Sequence, residues 1–110
     1  MVTHPLFYDG HMAQVATRLK GKLLDDLKLI ESEERTDRAT VLRKLIAVGI
    51  SHWKLEHALK LYMNKKATTW KAAETAGLSL YEFIDVLRSR RIPAQYTIED
   101  LEEDLRGLVE

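Results

Sequence analysis

Gln14, Ala16 and Arg18 alternate along a short stretch, AQVATRL (residues 13–19), that has the two-residue period of a β-strand. They share one face, and Val15, Thr17 and Leu19 share the other. Arginine can hold a guanine edge through two hydrogen bonds, and glutamine can hold adenine in the same way. The face Gln-x-Ala-x-Arg therefore has the chemistry to contact bases. The bland alternative is a polar face that meets only water. A strand of this length extends about 23 Å at roughly 3.3 Å per residue, and a two-stranded ribbon fits a major groove about 12 Å wide.

Other chemistry is poorly represented. There is no cysteine, which excludes disulfides, thiol catalysis and cysteine-ligated zinc. His52 and His57 stand five residues apart on a helical pattern, whereas a zinc pair on one helix face wants four. No glycine-rich phosphate loop, no nucleophile elbow and no carboxylate pair with an evident acid partner is found. The chain is read as a non-enzyme with no metal and no cofactor. Trp53 and Trp70 are read as packing residues.

Around the candidate strand the pattern is helical. Leu23, Leu24, Leu27 and Ile30 make an apolar stripe that predicts a helix over 22–34. Arg35-Thr36-Asp37 breaks it, with Thr36 or Asp37 capping a second helix from Arg38 to Gly49 that carries Val41, Leu42, Leu45 and Ile46. Gly49-Ile50-Ser51 reads as a kink or restart. A third helix then carries Trp53, Leu55, Ala58, Leu59 and Tyr62, and Asn64-Lys65-Lys66 closes it. Residues 69–76 form a short alanine-rich helix stopped by Gly77, whose missing side chain permits a left-handed cap. Ser79-Leu80-Tyr81-Glu82 is a capping box that opens another helix, and Ile92-Pro93 ends it. Thr97-Ile98-Glu99-Asp100 caps a last, acidic helix with Ile98, Leu101, Leu105 and Leu108 on one side. The first twelve residues fit none of this and read as a disordered arm or an expression-tag remnant.

One strand cannot satisfy its own edge, and the chain offers no second one. The simplest mate is the same segment of another copy, paired antiparallel about a two-fold axis. Strand 13–19, the helix over 22–34 and the capped helix from 38 together resemble the ribbon-helix-helix DNA-binding fold of the Arc and MetJ type. The Arg18-Leu19 pair, the Leu23/Leu24/Leu27 stripe and the Thr36-Asp37-Arg38-Ala39 turn carry that resemblance. It implies a homodimer in which Gln14, Ala16 and Arg18 face bases. It also implies that the backbone donors of Arg38 and Ala39 hold a phosphate at a helix N-terminus. Lys20 and Lys22 would add positive charge. The outward Ala16 departs from the polar residue common in that fold.

TTWKAAETAGLSLYEFIDVLRSR (68–90) resembles a helix-turn-helix. With Ala58-Leu59-Lys60-Leu61-Tyr62 and Lys71-Ala72-Ala73-Glu74-Thr75-Ala76-Gly77-Leu78-Ser79, the chain from Ala13 is similar to a family of small prokaryotic antitoxin-like proteins encoded beside PIN-domain ribonucleases. The resemblance implies a DNA-binding repressor that neutralises such a toxin. Glu82 and Asp85 would repel phosphates if the second helix of this pair entered a groove, which favours packing or partner binding there. The acidic helix could instead lay Ile98, Leu101, Leu105 and Leu108 into a groove on the toxin, or fold back on its own core.

The composition, with 45% hydrophobic and 31% charged residues, is that of a globular chain. Zero net charge hides a split: residues 1–66 carry a net +4 and residues 67–110 a net −4, which suits a polyanion at one end and something basic at the other. No apolar run is long enough for a membrane span, and a cytoplasmic location is the default. The expected architecture is thus mainly α. A ribbon-helix-helix dimer (13–50) with one intermolecular antiparallel β-ribbon is followed by a helix-turn-helix-like region (51–95) and an acidic C-terminal helix (96–110). The expected partners are double-stranded DNA, a second copy or a higher oligomer, and a PIN-domain toxin. The competing expectations are a free-standing transcription factor and an adaptor dimer that never touches nucleic acid.

Overall fold

A computed structural model describes residues 12–95 together with Glu102, Leu105 and Arg106. The protein is mainly α, as its periodicity indicates. Within residues 12–95 four helices follow one another: α1 (Lys22–Glu34), α2 (Arg38–Met63), α3 (Thr69–Ala76) and α4 (Leu80–Ser89). Residues 12–20 carry neither helix nor strand, and no strand occurs among the described residues. A strand is defined by its ladder, and segment 13–19 meets no mate among the described residues. Val15 and Thr17, expected to face the helices, are exposed, and only Leu19 is half-buried.

The chain forms two compact units, residues 1–38 and 39–110. In the first, Gly21 opens α1 in a positive-φ conformation (65°) and its carbonyl accepts from the Asp25 N–H at 3.1 Å. Leu27 is buried and Leu24 and Ile30 are half-buried, while Leu23 and Leu29 remain exposed. Arg38 Nε donates to Glu31 Oε2 at 2.7 Å, fastening the chain after the α1 stop to the last turn of that helix.

The core of the second unit joins Ala58, Leu59 and Tyr62 of α2 to Ala72, Ala73 and Ala76 of α3 and to Phe83 and Leu87 of α4. Three alanines on α3 leave room for the two large rings beside them. Tyr62 and Phe83 are fully buried and meet edge to face, with centroids 5.7 Å apart at 85°. Thr68 caps α3 by accepting from the Lys71 N–H at 3.2 Å. Ser79 caps α4 in the expected capping box: its hydroxyl accepts from the Glu82 N–H at 3.1 Å, and Glu82 Oε1 accepts from the Ser79 N–H at 2.8 Å.

Two expectations are corrected. The helix does not break at Gly49-Ile50-Ser51; α2 runs unbroken from Arg38 to Met63. An interior glycine costs about 1 kcal/mol, which the helical turns on either side outweigh. Trp53 is not a packing residue, being 63% exposed. Nine residues separate it from Tyr62, or about two and a half turns, so the two side chains leave α2 in opposite directions.

The helices α1 to α4 stop by one device. Arg35, Lys65, Gly77 and Arg91 each take a left-handed conformation, with φ of 51°, 59°, 74° and 56°. After each, an N–H returns to a carbonyl five residues back: Thr36 to Glu31, Lys66 to Leu61, Leu78 to Ala73 and Ile92 to Leu87. Glycine fits this conformation without strain, whereas another residue costs roughly 1–2 kcal/mol. Lys65→Gly and Arg91→Gly should therefore each stabilise the protein by about 1 kcal/mol, and Gly77→Ala should destabilise it by a similar amount. Shifts of the urea unfolding midpoint, upward for the first two and downward for the third, check this.

Candidate nucleic-acid interface

Gln14, Ala16 and Arg18 are exposed, and neither Gln14 nor Arg18 has a hydrogen-bond or ion-pair partner among the described residues. Lys20 is exposed. Lys22 is exposed too, with its Nζ 3.5 Å from Asp26 Oδ1 one turn along α1. An ion pair so open to solvent is weak, leaving the ammonium available to another anion.

Arg38 and Ala39 occupy the first turn of α2, where backbone N–H groups point out of the helix end and the helix dipole favours negative charge. The Arg38 guanidinium itself is engaged by Glu31, so what this residue can offer an anion is its backbone. From Arg38 to Leu55 there is no aspartate or glutamate, while Arg38, Arg43, Lys44 and Lys54 are present. Of the four tail residues expected to bind a partner, Leu105 is helical and exposed, as are Glu102 and Arg106; Ile98, Leu101 and Leu108 lie outside the described residues.

The α3–α4 pair has the helix-turn-helix order, with the turn at Gly77-Leu78-Ser79. The exposed side of α4 presents Tyr81, Glu82, Asp85, Arg88 and Ser89. The Ser79 backbone N–H and hydroxyl hold the Glu82 carboxyl below the usual carboxylate range, keeping it charged. Asp85 lies 3.5 Å from Arg88. Two carboxylates on this face oppose its approach to phosphate. Beside it, a cavity of about 170 Å³ is lined by Trp70, Ala73, Glu74, Leu78, Ser79 and Leu80.

Two interactions escaped the sequence reading. Arg90 Nη2 meets Glu56 Oε2 at 2.6 Å, tying the end of α4 to α2, and that oxygen has no further hydrogen-bond partner. Arg90 is thus committed within the protein. The buried Tyr62 hydroxyl accepts from the Gln95 N–H, and Thr69 Oγ1 lies 3.4 Å from both Tyr62 Oη and the Gln95 carbonyl. No local spacing announces either interaction, because the partners are far apart in the chain. His57 is stacked on Trp53, with centroids 4.7 Å apart at 15°. Among the described residues no group of three histidines or carboxylates could hold a metal ion, and no helix is long and apolar enough to cross a membrane.

Residues 48–110, from the middle of α2 onward, match the model of UPF0175, described as an uncharacterised protein family. The chain belongs to the UPF0175 family. Two UPF0175 proteins of Aeropyrum pernix are 45% and 40% identical to it over 53 and 52 residues, and one of Archaeoglobus fulgidus is 42% identical over 52 residues. Each match covers 47% of this chain and 67%, 58% and 60% of those relatives, respectively. No solved structure matches. The UPF0175 match takes in α3, α4 and the Tyr62 core, while segment 13–19 and α1 lie before it.

Arg90 holds the Glu56 carboxyl below the usual carboxylate range, mainly through the hydrogen bond from its guanidinium and also through its charge. A carboxylate whose folded value is depressed stabilises the fold above the ordinary carboxylate range, and that contribution disappears as pH falls through the lowered value. Glu56→Gln should therefore be less stable than the parent at neutral pH, with the difference shrinking in acid. Unfolding midpoints from pH 7 down to pH 3 measure it, and a constant difference would exclude a role for this charge.

Proposed function

We propose that this UPF0175 protein is a dimeric, sequence-specific DNA-binding repressor of the antitoxin kind. Paired copies of segment 13–19 enter the major groove, with Gln14, Ala16 and Arg18 toward the bases. Lys20, Lys22 and the backbone of Arg38 and Ala39 hold flanking phosphates. The acidic C-terminal segment, with Ile98, Leu101, Leu105 and Leu108, occupies the RNA-accepting surface of a PIN-type ribonuclease. The observation that carries the reading is the exposure of Gln14, Ala16 and Arg18, unpartnered, immediately ahead of two helices whose starts fall at Lys22 and Arg38. The helix-turn-helix-like pair contributes packing or a partner contact, because Glu82 and Asp85 face outward on α4.

Duplex binding should weaken steeply with salt, since each neutralised phosphate releases counterions. Arg18→Ala should cost about 1–3 kcal/mol and relax sequence preference. Electrophoretic mobility shifts against a panel of duplexes test both, and an unchanged affinity for Arg18→Ala removes the ribbon from the interface.

Cutting the chain after Gln95, which keeps Ile92 on the core and the Gln95 N–H on Tyr62, should abolish capture of the ribonuclease and leave DNA binding intact. Co-purification of the shortened protein with its nuclease would assign the inhibitory contact elsewhere.

A further inference from the structure

Trp70 and Glu74 stand four residues apart on α3, so both side chains leave the helix on one side. They line the cavity of about 170 Å³ whose remaining wall is Ala73, Leu78, Ser79 and Leu80. Ala73 is buried, Trp70, Leu78 and Leu80 are half-buried, and Glu74 is exposed, so an apolar floor lies below a carboxylate. Pockets that enclose a whole small ligand begin near about 300 Å³, and a cavity of about 150 Å³ takes a group the size of benzene. This one has room for the end of a single side chain. An indole, a carboxylate and an aliphatic lining are together satisfied by a long cationic side chain. The ring attracts its charge, the carboxylate pairs with it, and the leucines cover its stem. A guanidinium suits the site better than an ammonium, because it is planar, stacks on an aromatic face and meets both oxygens of a carboxylate.

We propose that this cavity is the docking point for an arginine side chain of a protein partner, with the guanidinium stacked on Trp70 and paired with Glu74. Glu74 already meets one cation, since Lys71 Nζ lies 2.8 Å from its Oε1. Both side chains of that pair are more than half exposed, and so open an ion pair is worth little. The second oxygen, Oε2, has no partner among the described residues. Lys71 is thus a competitor for the carboxylate and not a lock on it. The charge of the two helices favours the same occupant, with Glu74, Glu82 and Asp85 set against Lys71 and Arg88. The inference rests only on the partner-contact role given above to the α3–α4 pair, and it needs neither DNA nor the acidic tail.

Nuclear magnetic resonance titration of the full-length protein with a blocked arginine residue, N-acetyl-arginine methylamide, reads the site through the indole N–H of Trp70. One anchored residue should bind with a Kd of about 1 mM. Glu74→Gln should weaken binding by about 5- to 10-fold, and Lys71→Ala should tighten it by about 2- to 3-fold by removing the competitor. Both positions are exposed, so neither change threatens the fold. Blocked citrulline, which keeps the shape and lacks the charge, should not bind. The Trp53 indole, exposed on α2 outside this cavity, should not respond. A silent Trp70, an equal response of Trp53, or an affinity unchanged in Glu74→Gln would overturn the proposal. So would equal binding of blocked citrulline or blocked leucine, which would make the cavity a seat for an apolar plug. Free arginine that binds about tenfold tighter than the blocked residue would make it a small-molecule site instead. Replacing Leu101, Leu105 and Leu108 together by aspartate should leave the titration unchanged, and a variant that binds about tenfold tighter would make the acidic tail the occupant. Duplex binding and ribonuclease capture are measured separately, so a failure here leaves those parts of the reading standing.

Discussion

One buried phenol organises the second unit. Tyr62 is fully enclosed, its ring meets Phe83 edge to face, and its hydroxyl receives the Gln95 N–H. A hydroxyl taken out of water needs a partner, and here the partner is supplied by chain that has already left α4. The three elements around Tyr62 are therefore interdependent. α2 brings the ring, α3 and α4 wall it in, and the segment after α4 returns to satisfy its polar end. The left-handed turn at Arg91 makes that return possible by reversing the chain and placing Ile92 against the core.

The same arrangement decides which surfaces remain for binding. The inward sides of α3 and α4 are consumed by the alanine–aromatic core, and Arg90 is consumed by Glu56. What is left outside on α4, apart from Tyr81, is acidic or locally paired. What is left outside on residues 14–18 and along the middle of α2 is polar, basic or apolar. The UPF0175 segment carries the self-contained packing, while segment 13–19 and α1 lie ahead of it.

Much of this was legible in the sequence where the governing physics is local. The capping box at Ser79, the left-handed glycine at 77 and the closing Asn64-Lys65-Lys66 each depend on a few neighbouring residues, and the structure has them where the pattern places them. The expected break at Gly49 failed because a local penalty was weighed without the propagation of helix from both sides. Trp53 departs from its expected packing role because an apolar stripe says that a face wants cover but not whether the chain itself provides it. Glu56–Arg90 and Tyr62–Gln95 were invisible for the converse reason: they join positions that only the finished fold brings together. Segment 13–19 is the boundary case, since its alternation is plain in the letters while the described residues give it no ladder.

The chain has only two tryptophans, and they stand in contrasting surroundings: Trp53 open to water and stacked on His57, and Trp70 half-buried at the edge of a small cavity. Indole emission moves to shorter wavelength when water is removed, so each ring reports on a different part of the molecule. Replacing either one alone would leave a single optical probe, one on the bare middle of the long helix and the other beside the short turn. Events at those two places could then be followed separately, by colour, in unlabelled protein.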